Sequence, residues 1–118
     1  MRCVIPSQSI SANTTNFYTV YFKVYSVGPL EGAQIKILKF FNTETNNFVS
    51  VCSVAYLSSV CNTILTTDSN GIAEACLTYG LYTVSVSYNG YVNYYTIQIT
   101  QNQEVELPFF FEKQSLNN

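Results

Sequence analysis

Histidine is absent from the 118 residues. With it go the commonest general base and the commonest metal ligand. Nucleophilic catalysis of the Ser-His-Asp or Cys-His kind is excluded on the same ground. Charge is also scarce: Asp, Glu, Lys and Arg together make up 10% of the chain, against roughly 25% in an ordinary domain. Five basic and seven acidic residues leave a net charge of −2. That is no footprint for nucleic acid, nor for charge-driven attachment to an anionic membrane. No apolar run approaches the roughly 18 residues of a membrane-spanning helix. The N-terminal stretch lacks the apolar core of a signal peptide, so the chain either is not exported by that route or stands without its leader. No two cysteines have C-x-x-C spacing, which leaves zinc and thioredoxin-like chemistry without support. Few carboxylates also mean few charge changes on acidification, so acid resistance is one expectation. A strand-rich surface that carries little charge is the plainer one.

Hydrophobic residues make up 47% of the chain, enough for a folded core and against a disordered tail. The length suits one domain. The polar surface falls to 12 Ser, 12 Thr, 12 Asn and 6 Gln, with ten Tyr beside them.

Alternation with a period of two dominates, and no segment holds a helical period. Phe17 to Tyr25 reads as a first strand with Tyr18, Val20, Phe22 and Val24 on one face. Gly28-Pro29 breaks it. Ala33 to Phe41 is a second strand, and Asn42 to Asn47 a polar turn. Phe48 to Tyr56 and Val60 to Thr66 are expected to pair as a hairpin. Asp68-Ser69-Asn70-Gly71 is a turn, followed by a strand from Ile72 to Leu77. Leu81 to Tyr88 and Tyr91 to Thr100 flank Asn89-Gly90, the strongest short hairpin signal. Glu104 to Phe110 closes the series, with Val105 and Leu107 inward. Seven to eight short strands with turns between them predict an all-β antiparallel sandwich, a barrel being the alternative. The organisation is an N-terminal arm (1–16), a sandwich (17–111) and a C-terminal tail (112–118).

Four cysteines, Cys3, Cys52, Cys61 and Cys76, allow three pairings. Cys52 and Cys61 flank the expected hairpin and would face each other across it, leaving Cys3 to pin the arm against Cys76. Four reduced thiols used as small apolar residues are the competing reading. An oxidised pair points outside the cytosol, to a virion, or to a hyperthermophilic host.

Three segments stand in order: Pro29-Leu30-Glu31-Gly32-Ala33-Gln34-Ile35-Lys36-Ile37, Thr67-Asp68-Ser69-Asn70-Gly71, and Gly80-Leu81-Tyr82-Thr83-Val84-Ser85-Val86 with Gly90-Tyr91. Together they resemble carboxypeptidase-regulatory-like domains of the transthyretin-like (prealbumin-like) group, related to pilin-type Cna-B domains. The resemblance spans Phe17 to about Phe110 and implies an Ig-like, prealbumin-like sandwich serving as a stalk, spacer, adhesion or accessory module. It speaks to fold far more than to function. Gly80 would let the chain pass a crowded edge, and Tyr82 would bury its ring with its hydroxyl at the rim. Asn42 to Thr66 exceeds the family pattern and reads as a decoration. Pilin-type relatives often carry an isopeptide bond from a first-strand Lys. Lys23 stands near that position, but Ser85, Val86 and Ser87 occupy the place of the required acid, so no such bond is expected.

Carboxylate chemistry has weak candidates. Glu104 and Glu106 share a strand face, and Asp68 with Glu74 straddles a turn where Asp68 would cap its own backbone. Asp68 and Asn70 are too few for calcium. Neither a catalytic residue nor a cofactor is expected, and the protein is read as a non-enzyme. Asn13-Thr14-Thr15 is a glycosylation sequon.

Function is expected at the margins. The arm carries Val4, Ile5 and Ile10, suited to lying across or adding a strand to a neighbour. Phe109, Phe110 and Phe111 cannot all enter one core from a strand, so at least one faces outward for a partner to cover. A local fold-back is the competing account. Tyr88, Asn89, Tyr91, Tyr94 and Tyr95 form a binding rim, tyrosine being a low-entropy contact residue. The leading expectation is a structural protein of an assembled surface, a virion or an extracellular filament, contacting other protein subunits. The runner-up is a carbohydrate- or protein-binding accessory module using the tyrosine rim.

Overall fold

The computed structural model describes residues 16–111. Eight strands follow in order: β1 (Phe17–Tyr25), β2 (Gln34–Asn42), β3 (Asn47–Ser50), β4 (Leu65–Thr66), β5 (Ile72–Thr78), β6 (Gly80–Tyr88), β7 (Tyr91–Ile99) and β8 (Gln103–Pro108). They form two sheets, β5-β1-β8 and β3-β2-β6-β7, with the short β4 also pairing with β2. The expected all-β sandwich is therefore the architecture. One pairing departs from the antiparallel expectation: β8 runs parallel to β1, Val20 opposite Gln103 through Tyr25 opposite Pro108. A chain that ends β7 on one sheet and crosses to the other meets β1 in this direction, and alternation alone carries no sign of strand direction.

The inner faces follow the period-two pattern. Val20, Phe22 and Val24 of β1, with Ala73, Ala75 and Leu77 of β5 and Leu107 of β8, face Ile35 and Ile37 of β2, Tyr82, Val84 and Val86 of β6, and Ile97 and Ile99 of β7. Each large side chain so buried is worth about 1.5–3 kcal/mol over leaving it in water. In β2 the register slips between Ile37 and Lys39. The slip inserts Leu38 as an extra residue and brings Phe40 inward, opposite Tyr82.

The expected hairpin from Phe48 to Thr66 does not form. Asn47–Ser50 pairs instead with the end of β2, and the chain then makes two 3-10 turns, Val51–Ser53 and Ala55–Val60, where no helix was expected. The reason lies in the spacing of Val51, Val54, Leu57 and Val60. A repeat of three suits short 3-10 turns of three residues each; with Val54 itself extended between the two turns, Val51, Leu57 and Val60 enter the core and Val54 packs at its margin. Cys52 and Cys61 are joined as expected, their Cα atoms 4.8 Å apart, but the bridge closes this helical insertion rather than a hairpin. No cysteine among the described residues is free. The pairing expected of Cys3 lies outside them, as do the arm and the sequon.

The turn after β4 carries the chain between sheets. Asp68 Oδ1 accepts from the backbone N–H of Asn70 (2.8 Å) and Ile72 (3.0 Å), so this carboxylate caps its own turn. Gly71 stands at φ +76, and a Cβ there would meet the Val24 carbonyl oxygen at 2.5 Å, because Val24 N–H donates to Gly71 O. Next to it, buried Thr67 accepts from Ala33 N–H at 2.9 Å and donates to Leu30 O at 2.6 Å. The Thr67-to-Gly71 and Pro29-to-Ala33 segments, distant in sequence, are thus bound to each other.

Candidate functional site

The sandwich presents two candidate surfaces, one at each end of the β2-β6-β7 sheet. The first is built where β6 turns into β7. Asn89 and Gly90 both stand at positive φ, and Tyr88 pairs with Tyr91 across the turn. Beyond β8 the chain folds back over this end. Phe109 N–H donates to Tyr25 O at 2.8 Å, which turns the Phe109 ring inward until it is buried. Phe110 follows outward and remains 55% exposed. Phe111 lies against the rings of Phe109, Tyr88 and Tyr91, with centroids 5.2–5.9 Å away.

Two polar side chains of β7 hold this segment. Asn93 is buried, and its carboxamide makes both bonds a strand backbone would make to Phe110: it accepts from Phe110 N–H at 2.8 Å and donates to Phe110 O at 3.1 Å. Tyr95 donates its hydroxyl to Pro108 O at 2.7 Å, with Asn93 Oδ1 3.2 Å away. Burial pushes the Tyr95 hydroxyl up to about 12, helped by the nearby Tyr25. Val27, fully exposed in the loop after β1, belongs to the same end, since the preceding Tyr25 pairs with Pro108.

The tyrosine rim is therefore divided. Tyr88 and Tyr91 are engaged by Phe111, and Tyr95 by Pro108. Tyr94, 62% exposed, points to the outer sheet face opposite Tyr95. Asn89 is exposed at the turn. Of the three phenylalanines, Phe109 and Phe111 fold back locally and Phe110 faces outward. Val4, Ile5 and Ile10 lie outside the described residues. Asn93, which orders the whole segment, carried no signal beyond being a polar residue at an inward position of an alternating strand.

At the opposite end a cleft of about 720 Å³ opens between the end of β2, the start of β6 and the disulfide-closed insertion. Its aromatic walls are Tyr79, 62% exposed, and Tyr56, 44% exposed. Its floor is Phe40, in edge contact with Tyr56 and tilted against Tyr82. Phe40 lies so close over Gly80 that a Cβ there would meet its ring at 2.5 Å, and Gly80 adopts φ +152. Gly80 thus passes a crowded edge, as expected. The Tyr82 hydroxyl, expected at the rim, is buried instead. It accepts from Thr78 N–H at 3.0 Å and donates to Thr78 O at 2.9 Å. Burial drives its pKa up to about 12, against the opposing effect of these Thr78 bonds. The only sequence sign of the cleft was the over-long Asn42-to-Thr66 segment with its two cysteines.

Lys23 sits on the outer face of β1 beside Glu106. Among the described residues no group of three or more His, Cys, Asp or Glu is arranged to hold a metal. No helix there is long and apolar enough to cross a membrane.

No family model matches the chain, and no curated protein does. Among solved structures, the Bacillus anthracis TIE protein is similar over 79% of this chain and 16% of its own, at 20% identity and a TM-score of 0.48.

Proposed function

We propose that this domain is a non-enzymatic structural module of an assembled surface, a virion or an extracellular filament, and that it works by contact between chains through the Val27, Phe110 and Phe111 end. One observation carries the reading: Phe110 keeps its ring in solvent while Asn93 holds both of its backbone polar groups. A side chain that only needed to avoid water would fold back as Phe109 does. An exposed aromatic whose backbone is already held has less entropy left to lose when a neighbour covers it. The prealbumin-like, pilin-type kinship belongs to this proposal. It is supported by the Thr67 bonds that tie two of the resembling segments together and by the tight packing at Gly71 and Gly80. The non-enzymatic reading is supported by the missing histidines and by Asp68 being committed to its own turn.

A photoreactive benzoylphenylalanine at position 110 tests the contact. Irradiation of the purified full chain should yield a cross-linked dimer of the chain. Irradiation that leaves the chain uncross-linked at high protein concentration would overturn the proposal. Carbohydrate binding is a second reading, favoured by the open aromatic cleft at the other end.

A further inference from the structure

The cleft between Tyr56 and Tyr79 has the chemistry of a sugar site, and we propose that it binds a neutral oligosaccharide. Its size falls within the roughly 300–1,000 Å³ usual for ligand clefts. Its lining contains no cation, and Glu44 is its one charged group. An anionic ligand would find no counter-charge there and would be repelled by Glu44. A wholly apolar ligand would strand the polar groups, since the wall also carries Asn42 and Gln98. A neutral polyhydroxylated ring fits both constraints. Its hydroxyls pair with amides and a carboxylate, and its C–H face, slightly positive, meets the negative face of an aromatic ring.

The groups required are available. Among the described residues the Glu44 carboxylate, the Gln98 side chain and the hydroxyls of Tyr56 and Tyr79 make no hydrogen bond. Asn42 spends its Oδ1 on the N–H of Glu44 and Thr45, which leaves its amide N–H groups to donate. The Tyr56 wall is also firm. Tyr56 rests edge-on against Phe40, Phe40 rests on Tyr82, and Tyr82 is tied to Thr78. The Cys52–Cys61 bridge closes the insertion that carries Tyr56. This inference is independent of the assembly reading. The strand from Gly80 to Tyr88 separates the two ends by about 26 Å.

The test uses the full chain with cellohexaose, maltohexaose, mannohexaose and chitohexaose, followed by NMR at about 10 mM sugar, where millimolar binding is visible. At least one should bind and shift the amides of Tyr79, Gly80 and Tyr56. Tyr79→Ala should weaken that binding on the order of ten-fold, the effect of losing one central aromatic contact. Tyr94→Ala, which removes an equally exposed tyrosine outside the cleft, should leave it unchanged, as should Phe110→Asp. Silence from all four sugars would overturn the proposal. So would binding that survives the Tyr56→Ala, Tyr79→Ala double variant, loss of binding in Tyr94→Ala, or tighter binding of a heparin hexasaccharide than of any neutral sugar.

Discussion

Asn93 stands to Phe110 as one strand stands to another: its carboxamide oxygen accepts from the Phe110 N–H at 2.8 Å, and its nitrogen donates to the Phe110 carbonyl at 3.1 Å. A buried polar side chain in a sandwich core is costly unless fully paired. Here the pairing fixes the direction in which the chain leaves β8. Asn93→Ala should therefore cost about 1–3 kcal/mol in denaturant unfolding, the usual price of leaving buried partners unmade. It should also speed exchange of the Phe110 amide well above that of the β1-β5 ladder. Unchanged exchange at Phe110 would show that the segment is held by its aromatic rings alone.

Thr67 is a second tie at the same end of the fold, since the preceding Thr66 pairs with Gln34 and Gln34 with Ser87. Its hydroxyl serves Ala33 and Leu30 at once. Thr67→Val keeps the volume and removes both bonds, which predicts a loss of about 2–3 kcal/mol by thermal or chemical melting. A serine at the same position should recover most of it. A valine variant as stable as the parent would mean that the two segments are joined by packing rather than by this hydroxyl.

Strand existence and inward faces were legible in the residues. Phe17–Tyr25 coincides with β1, and the Asn89-Gly90 turn joins β6 to β7 as its dipeptide predicts. Gly80 was also readable from a local steric rule, whereas alternation said only that at least one of Phe109, Phe110 and Phe111 faces outward, not that it is Phe110. The stretch between Phe48 and Thr66 was misread because β-branched residues suggested strand where the spacing of Val51, Val54, Leu57 and Val60 specified three residues per turn. The parallel partner of β1 and the part played by Asn93 depend on contacts between segments far apart in sequence. No local pattern encodes those. The cleft escaped notice for the same reason, since Tyr79 and Tyr56 meet only through the insertion.

The alkaline limb of stability reports on two buried hydroxyls. Burial raises Tyr82 and Tyr95 to about 12 from an ordinary value of 10.0. In this range the unfolded chain loses the proton first, so the folded state binds more protons and stability falls as pH rises. The contribution is fully present below pH 10 and lost between about pH 10 and 12. For the fully buried Tyr82 it amounts to roughly 3 kcal/mol. Tyr82→Phe should flatten the fall in melting temperature across that window. It should also lower stability at neutral pH, where its bonds to Thr78 are lost. An equally steep alkaline fall in Tyr82→Phe would assign the effect elsewhere.

The disulfide stabilises an insertion that already buries Val51, Leu57 and Val60. Replacing Cys52 and Cys61 by serine removes the constraint on a loop of about ten residues, worth roughly 2–3 kcal/mol in the chain-entropy account. Hydrogen exchange should rise chiefly between Val51 and Thr66, with β1, β6 and β7 protected. Uniform loss of protection across both sheets would show that the bridge, and not the packing of Val51, Leu57 and Val60 alone, keeps the two sheets together.

Contact between chains through the Phe110 end is the central claim, and light scattering on the full chain across a wide concentration range tests it most directly. The wild-type protein is predicted to form a defined multimer. Phe110→Asp is predicted to be a folded monomer whose melting temperature no longer depends on protein concentration, because 55% of the ring it removes is exposed in its own chain and only assembly links stability to concentration. A wild-type chain that stays monomeric at the highest concentration, or a Phe110→Asp variant that assembles as well as the parent, would contradict it.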